Sequence, residues 1–156
     1  MTRFEKFIPI IFKNEGILSD NVNDAGGLTK WGISQNSYPK LDIRSLTKEQ
    51  AQDIYKVDYY NPCKIDQITN ELLALHVFDF AVNAGVGRSI RMIQRIVKVV
   101  QDGVIGNITL EAINKTDLSS SFIDARNIYY KQIATGRNLI FLSGWLNRVR
   151  NTTKSL

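Results

Sequence analysis

Cysteine and histidine are nearly missing from this chain, since Cys63 and His76 are the single residues of each kind. A lone cysteine cannot close an intramolecular disulfide, so no disulfide framework is expected. Zinc hydrolases draw two or three ligands from His and Cys, and one of each does not supply that set. A nucleophilic triad or Cys-His pair would have to recruit His76, which lies inside a strongly apolar stretch. Proline is also scarce, at three residues, and no low-complexity tract is present, so nothing reads as a linker. Long hydrophobic runs are lacking too. The apolar segment from Phe7 to Phe12 is interrupted by Pro9 and leads into Lys13, Asn14 and Glu15, not a small-residue cleavage site. The expectation is a protein made in the cytoplasm without a recognisable signal peptide and without stable membrane insertion. Metal-free carboxylate chemistry passes all of these filters, and no cofactor or metal is expected.

What is present is ordinary globular material. The 156 residues are 44% hydrophobic and 22% charged, which fits one domain with a real core. The net charge of +5 favours polyanionic surroundings, among them nucleic acid, anionic lipid and the bacterial wall. No helix-turn-helix, zinc-finger or aromatic RNA-binding signature accompanies it, so nucleic acid is not an expected partner.

The periodicity is mostly helical. Thr2-Arg3-Phe4-Glu5 has the form of a capping box, and Phe4, Ile8, Ile11 and Phe12 recur at helical spacing. This predicts a first helix, locally kinked at Pro9 and ending near Gly16. Asn, Asp and Gly then cluster between Asp20 and Gly27, ahead of Leu28-Thr29-Lys30-Trp31-Gly32-Ile33, which reads as loops and a short β-hairpin. Thr47-Lys48-Glu49-Gln50 opens a second helix that Asn61-Pro62 stops. Thr69 is expected to open a buried central helix running to Gly85, apolar nearly all round. A basic amphipathic helix should follow from Arg88 to Val100, with Ile90, Ile93, Val97 and Val100 inward. Shorter helices are predicted near 108–114, 119–135 and 139–151. The fold class is mainly α with one small β element near the front.

Two carboxylates stand out. Glu15 ends the first helix, where the negative pole of the macrodipole and the apolar Ile11 and Phe12 both favour a protonated carboxyl. That is what a general acid needs near neutral pH. On position alone, a helix-end glutamate pointing into water explains it better. Asp24 follows nine residues later, before Ala25-Gly26-Gly27. Glycosidic cleavage commonly uses two carboxyl groups flanking the bond. A turn-forming aspartate before glycines is an equally good account of Asp24. Thr29 adds a hydroxyl able to position water.

The stretch Asn14-Glu15-Gly16, then Asn23 to Ser34, resembles the signature of glycoside hydrolase family 108. That family comprises phage-type N-acetylmuramidases and bacterial secretion activator proteins. The resemblance continues through Tyr55 to Pro62, Phe78 to Gly85, Gln94 with Asp102 to Leu110, and Phe141 to Val149. Departures are Ile17 for a second Gly, Ala25 for Pro, and Trp31 and Tyr60 for the usual Tyr and Trp. What the resemblance implies is a lysozyme-like α+β fold with a short β-hairpin beside the active-site cleft. Its reaction is hydrolysis of the β-1,4 bond between N-acetylmuramic acid and N-acetylglucosamine. Glu15 is then the general acid, Asp24 orients water or stabilises the oxocarbenium ion, and Thr29 helps hold that water. The chain is expected as one domain over 1–156, with a catalytic segment 1–90 and a peptidoglycan-binding segment 91–156 packed into it. The implied partner is bacterial peptidoglycan, met as a monomer in the wall, with a holin-like or secretion factor providing exit. Rival readings are a lytic transglycosylase, and a non-catalytic wall-binding or secretion-accessory protein.

Other polar residues are weighed by setting. His76, Asp79 and Asn83 form a polar stripe on the apolar central helix and must face partners or a cleft. His76 and Asp79 read as a structural network, and Asn83, near the helix end, as a substrate-binding residue. Among the aromatics, Trp31 beside the acid pair is the candidate sugar subsite. The row Arg88, Arg91, Arg95 and Lys98 reads first as a solvated face and second as wall attraction. Trp145 and Arg148 read as core and surface anchoring.

Overall fold

The computed structural model describes residues 1–16 and 28–156. Seven α-helices and a two-stranded antiparallel hairpin are present among the described residues. They divide into two compact units, Met1–Asp58 and Tyr59–Leu156.

In the first unit, α1 (Arg3–Asn14) begins with the expected capping box: the Thr2 side chain accepts from the Glu5 N–H, and the Glu5 carboxylate accepts from the Thr2 N–H. Its buried face is Phe4, Phe7, Ile8, Ile11 and Phe12. The helix runs through Pro9, whose side lies exposed. Proline there removes one donor, and an exposed helix face lets water serve the orphaned carbonyl. Glu15 is the C-cap, and Gly16 after it adopts φ +73°. That left-handed turn is cheap only without a Cβ, so Glu15-Gly16 ends the helix where it does.

The hairpin pairs β1 (Thr29–Lys30) with β2 (Ile33–Ser34) in the register Thr29↔Ser34 and Lys30↔Ile33. Its two loop residues, Trp31 and Gly32, have φ of 52° and 76°. Two positive φ values mark the type I′ turn, the one whose twist suits a two-residue hairpin. Asn-Gly is the usual occupant. A tryptophan in this conformation costs roughly 1 kcal/mol. Helix α2 (Lys48–Tyr55) has the predicted capping box of Thr47 and Gln50, and continues as a π-turn over Lys56–Tyr60.

The second unit is built on α3 (Glu71–Ala84), in which every residue from Leu73 to Ala81 is buried. It packs against α4 (Val86–Ile96), α6 (Ser119–Ile133) and α7 (Leu142–Thr153). The short α5 (Asn107–Ile113) lies between α4 and α6 in the chain, and a 3₁₀ segment, Gly136–Phe141, precedes α7. Two sequence expectations change here. The cap of α3 is Asn70, whose side chain accepts from the Leu73 N–H, while Thr69 donates both its N–H and its hydroxyl to Asn114 Oδ1. Helix α4 stops earlier than its apolar spacing suggests. Lys98 takes φ 58°, with the Lys98 N–H donating to the Arg95 carbonyl and the Val99 N–H to the Gln94 carbonyl. This is a Schellman closure with lysine in the place usually held by glycine. Val100 therefore leaves the helix and is 79% exposed, not inward, whereas Ile90 and Ile93 are buried as expected.

Candidate active site

Three of the residues singled out in the sequence lie in the first unit. Glu15 caps α1 and is exposed. Thr29 is the first residue of β1 and is half-buried. Trp31 is half-buried at the hairpin turn, its ring stacked on Phe12 with centroids 6.3 Å apart. Phe12 in turn meets Tyr55 edge-on at 5.3 Å, and Lys48 Nζ stands 5.9 Å from the Trp31 ring. The hairpin carrying Thr29 is thus pinned, through Trp31, to the α1 turn that precedes Glu15. Stacking of this kind is worth about 0.5–1.5 kcal/mol, enough to offset the strained backbone of Trp31. Asp24 lies outside the described residues.

Asn83 belongs to the second unit, in the last turn of α3. It is half-buried, and its Oδ1 accepts a hydrogen bond from the Tyr130 hydroxyl. Asn83, Arg88, Tyr129, Tyr130 and Trp145 line a small groove of about 170 Å³.

Comparison with known proteins settles the family. Residues 8–85 match Glycosyl hydrolase 108, and residues 88–150 match a Predicted Peptidoglycan domain. The chain belongs to glycoside hydrolase family 108. It is similar at 33% identity to the solved structure of SagA from Brucella abortus, over 97% of this chain and 92% of that one, with a TM-score of 0.79. No curated protein matches it. This family 108 chain is a peptidoglycan hydrolase with a lysozyme-like α+β fold, directed at the cell wall.

The polar stripe of α3 in this glycosidase is a buried ion network. Asp79 is fully buried and accepts from Arg126 Nη2 at 2.7 Å and from Arg148 Nη2 at 2.8 Å, with Arg148 Nε at 3.1 Å from both carboxylate oxygens. Arg148, read from sequence as a surface anchor, is 9% exposed. It turns inward because α7 faces the carboxylate of α3, which a buried acid must have opposite it. Arg126 Nη1 lies 2.8 Å from His76 Nδ1. A guanidinium only donates, so Nδ1 holds the lone pair and Nε2 carries the proton, toward Thr153 Oγ1 at 3.1 Å. The Thr153 hydroxyl in turn donates a hydrogen bond to the Val149 carbonyl. Burial first, then the Arg126 charge, pushes His76 down to about 3, so it is neutral near pH 7 and no general base.

Arg126 is the residue that sequence reasoning missed. Its guanidinium also lies over the Phe80 ring at 5.2 Å and the Tyr130 ring at 6.0 Å, and its Nε is buried with no hydrogen-bond partner. The available signal was an arginine at i and tyrosine at i+4 on a helix that had to cover the α3 stripe. Trp145, read as core, is half-buried and stacks on Tyr130 at 5.5 Å.

The Asp102 to Thr109 segment is tied to α4 by one buried side chain. Gln94 Nε2 reaches Asp102 Oδ1, the Val104 carbonyl and Thr109 Oγ1, while its Oε1 accepts from the Gly103 N–H. Elsewhere, burial pushes the Cys63 thiol up to about 12, which leaves it protonated and unreactive. Among the described residues no group of three His, Cys, Asp or Glu is placed to hold a metal ion, and no helix is long and apolar enough to cross a membrane.

Proposed function

We propose that the enzyme is an N-acetylmuramidase, hydrolysing the β-1,4 bond between N-acetylmuramic acid and N-acetylglucosamine with Glu15 as general acid. The observation that carries this reading is the Trp31–Phe12 stack. It holds an aromatic face and the Thr29 strand against the helix turn that presents an exposed carboxyl at Glu15. An aromatic ring beside an acid suits a sugar subsite, where the ring contacts the apolar face of the pyranose. In this mechanism Glu15 protonates the leaving oxygen. Asp24 activates water or stabilises the oxocarbenium ion, and Thr29 holds that water. Asn83 contributes a hydrogen bond to the glycan. The chain works as a monomeric single domain, 1–90 catalytic and 91–156 wall-binding, and reaches the wall by a holin-like or secretion factor.

The test is digestion of purified sacculi, followed by turbidity and by mass spectrometry of the products. Reducing muramic acid ends, together with loss of turnover in Glu15→Gln and Asp24→Asn, support the reading. Anhydro ends identify a transglycosylase instead. Wall binding with no turnover by the wild type identifies a non-catalytic accessory protein.

A further inference from the structure

The basic face of α4 is shaped. Arg88, Arg91 and Arg95, at i, i+3 and i+7, are exposed and line a groove of about 460 Å³ with Met92, Gln101 and Tyr129. No carboxylate lines it among the described residues, and Lys98, the fourth member of the row, does not border it. The groove shares Arg88 and Tyr129 with the smaller concavity that contains Tyr130 and Trp145. A cationic trough therefore runs into an aromatic one.

Two of the guanidiniums are set in place. Arg88 Nη1 donates to the Ala84 carbonyl at 2.9 Å, and its guanidinium stands 5.3 Å from the Tyr129 ring centroid. Arg91 lies against two glycines. A Cβ at Gly87 would sit 2.8 Å from Arg91 Nη1, and one at Gly103 would sit 3.0 Å from Arg91 Cζ and Nη2. A Cβ at Gly87, in the first turn of α4, would displace the far end of the Arg91 side chain from its present position. Hydrogen bonds from Gln94 and the Val104 N–H, both to its Oδ1, come first in holding the Asp102 carboxyl low, and Arg91 is close enough for its charge to help.

We propose that this groove is a binding site for the free carboxylates of a peptidoglycan stem peptide, with the attached amino sugar resting on Tyr129 and Trp145. Guanidiniums pair with carboxylates through two parallel hydrogen bonds, and aromatic faces take sugar rings. A polymer that offers a sugar face beside several carboxylates is a peptide-bearing glycan. The inference rests on the reading of the chain as a peptidoglycan hydrolase, and it gives residues 88–150 a ligand-contacting surface distinct from Glu15.

The experiment measures binding of a disaccharide-tetrapeptide by calorimetry. This compound is a product of the proposed reaction, so its binding is independent of turnover. Comparison ligands are the same compound with its carboxylates converted to carboxamides, the peptide-free disaccharide, and inorganic polyphosphate. Charge-assisted hydrogen bonds of this kind change affinity by about 10-fold each. Amidation and the double variant Arg91→Ala/Arg95→Ala should therefore each weaken binding at least about 10-fold. Gly87→Ala should weaken it several-fold, with an unfolding midpoint unchanged or raised. Lys98→Gln should leave it unchanged. Equal binding of the amidated ligand, equal loss with Lys98→Gln, or polyphosphate binding as tight as the muropeptide would overturn the proposal. Retained turnover in Glu15→Gln would sink the catalytic assignment and leave these binding results standing.

Discussion

The two units treat their polar residues in opposite ways. Among the described residues of 1–58, most side-chain hydrogen bonds join near neighbours at the surface, as Thr2 with Glu5, Thr47 with Gln50 and Asp42 with Ser45. The longer ones, Lys30 to the Arg44 carbonyl and Tyr38 to Asp58, are exposed too. In residues 59–156, Asp79 reaches Arg126 and Arg148 across 47 and 69 positions of sequence, with the charges buried. A proton donor must be accessible to substrate, and the proposed acid Glu15 lies exposed in the first setting. The second setting suits charges whose task is to fix helix packing. A buried charge is tolerable only when its partner is supplied, and so it registers α6 and α7 against α3.

The largest expected effect separates chemistry from stability. Glu15→Gln should lower turnover of sacculi by about 10²–10⁴-fold, the scale of general acid catalysis. Its urea midpoint should match the wild type, and a large stability loss would make Glu15 a structural residue. Asp79→Ala should do the reverse kind of damage. Leaving Arg126 and Arg148 buried without their acid costs about 3–5 kcal/mol in chemical denaturation. A change under about 1 kcal/mol would mean that solvent replaces the lost carboxylate.

His76 sharpens the same contrast through pH. Its imidazole titrates near 6.5 in an unfolded chain and at about 3 when folded. The unfolded chain therefore takes a proton that the folded protein refuses, and stability present above about pH 6.5 is lost as pH falls toward 3. The slope is about 1.4 kcal/mol per pH unit. The carboxylates of Glu5, Asp42, Asp102 and Asp117 are held below their ordinary values of 4.5 or 3.8 by hydrogen bonds from Thr2, Ser45, Gln94 and Ser119 respectively. They act at lower pH, so the window between about 6.5 and 4.5 belongs to His76. Urea midpoints across that window should fall in the wild type and stay nearly level in His76→Gln.

Smaller effects probe the first unit. Trp31→Asn places a residue suited to the type I′ turn and removes the stack on Phe12. The two terms nearly cancel, so stability should move by no more than about 1 kcal/mol. The KM for glycan should rise several-fold if Trp31 is a sugar subsite, and an unchanged KM would remove it from the site. Thr47→Ala should cost about 1 kcal/mol, the usual value of an N-cap, without altering turnover. Any loss of activity there would mean that α2 positions the site.

Sequence alone settled the features whose causes are local. Capping boxes at Thr2 and Thr47, the end of α1 at Glu15-Gly16, the hairpin at Trp31-Gly32 and the buried character of α3 all follow from residues within a few positions of one another. Short-range propensity and periodicity report such contacts directly. The positions of Glu15 at the helix end and of Thr29 and Trp31 in the hairpin were legible for the same reason, while their roles in catalysis stand as proposed. Tertiary structure decided the rest. Lys98 ends α4 in a conformation that lysine rarely adopts, so Val100 is exposed despite its spacing. Arg148 is buried although its own helix reads as basic surface, because the carboxylate that claims it is 69 positions away. The three arginines of α4 line a groove together with Gln101 and with Tyr129 of α6, which the sequence of α4 does not show. Each of these depends on which distant group fills the neighbouring space, and long-range electrostatic and packing terms leave no periodic trace in the chain that carries them.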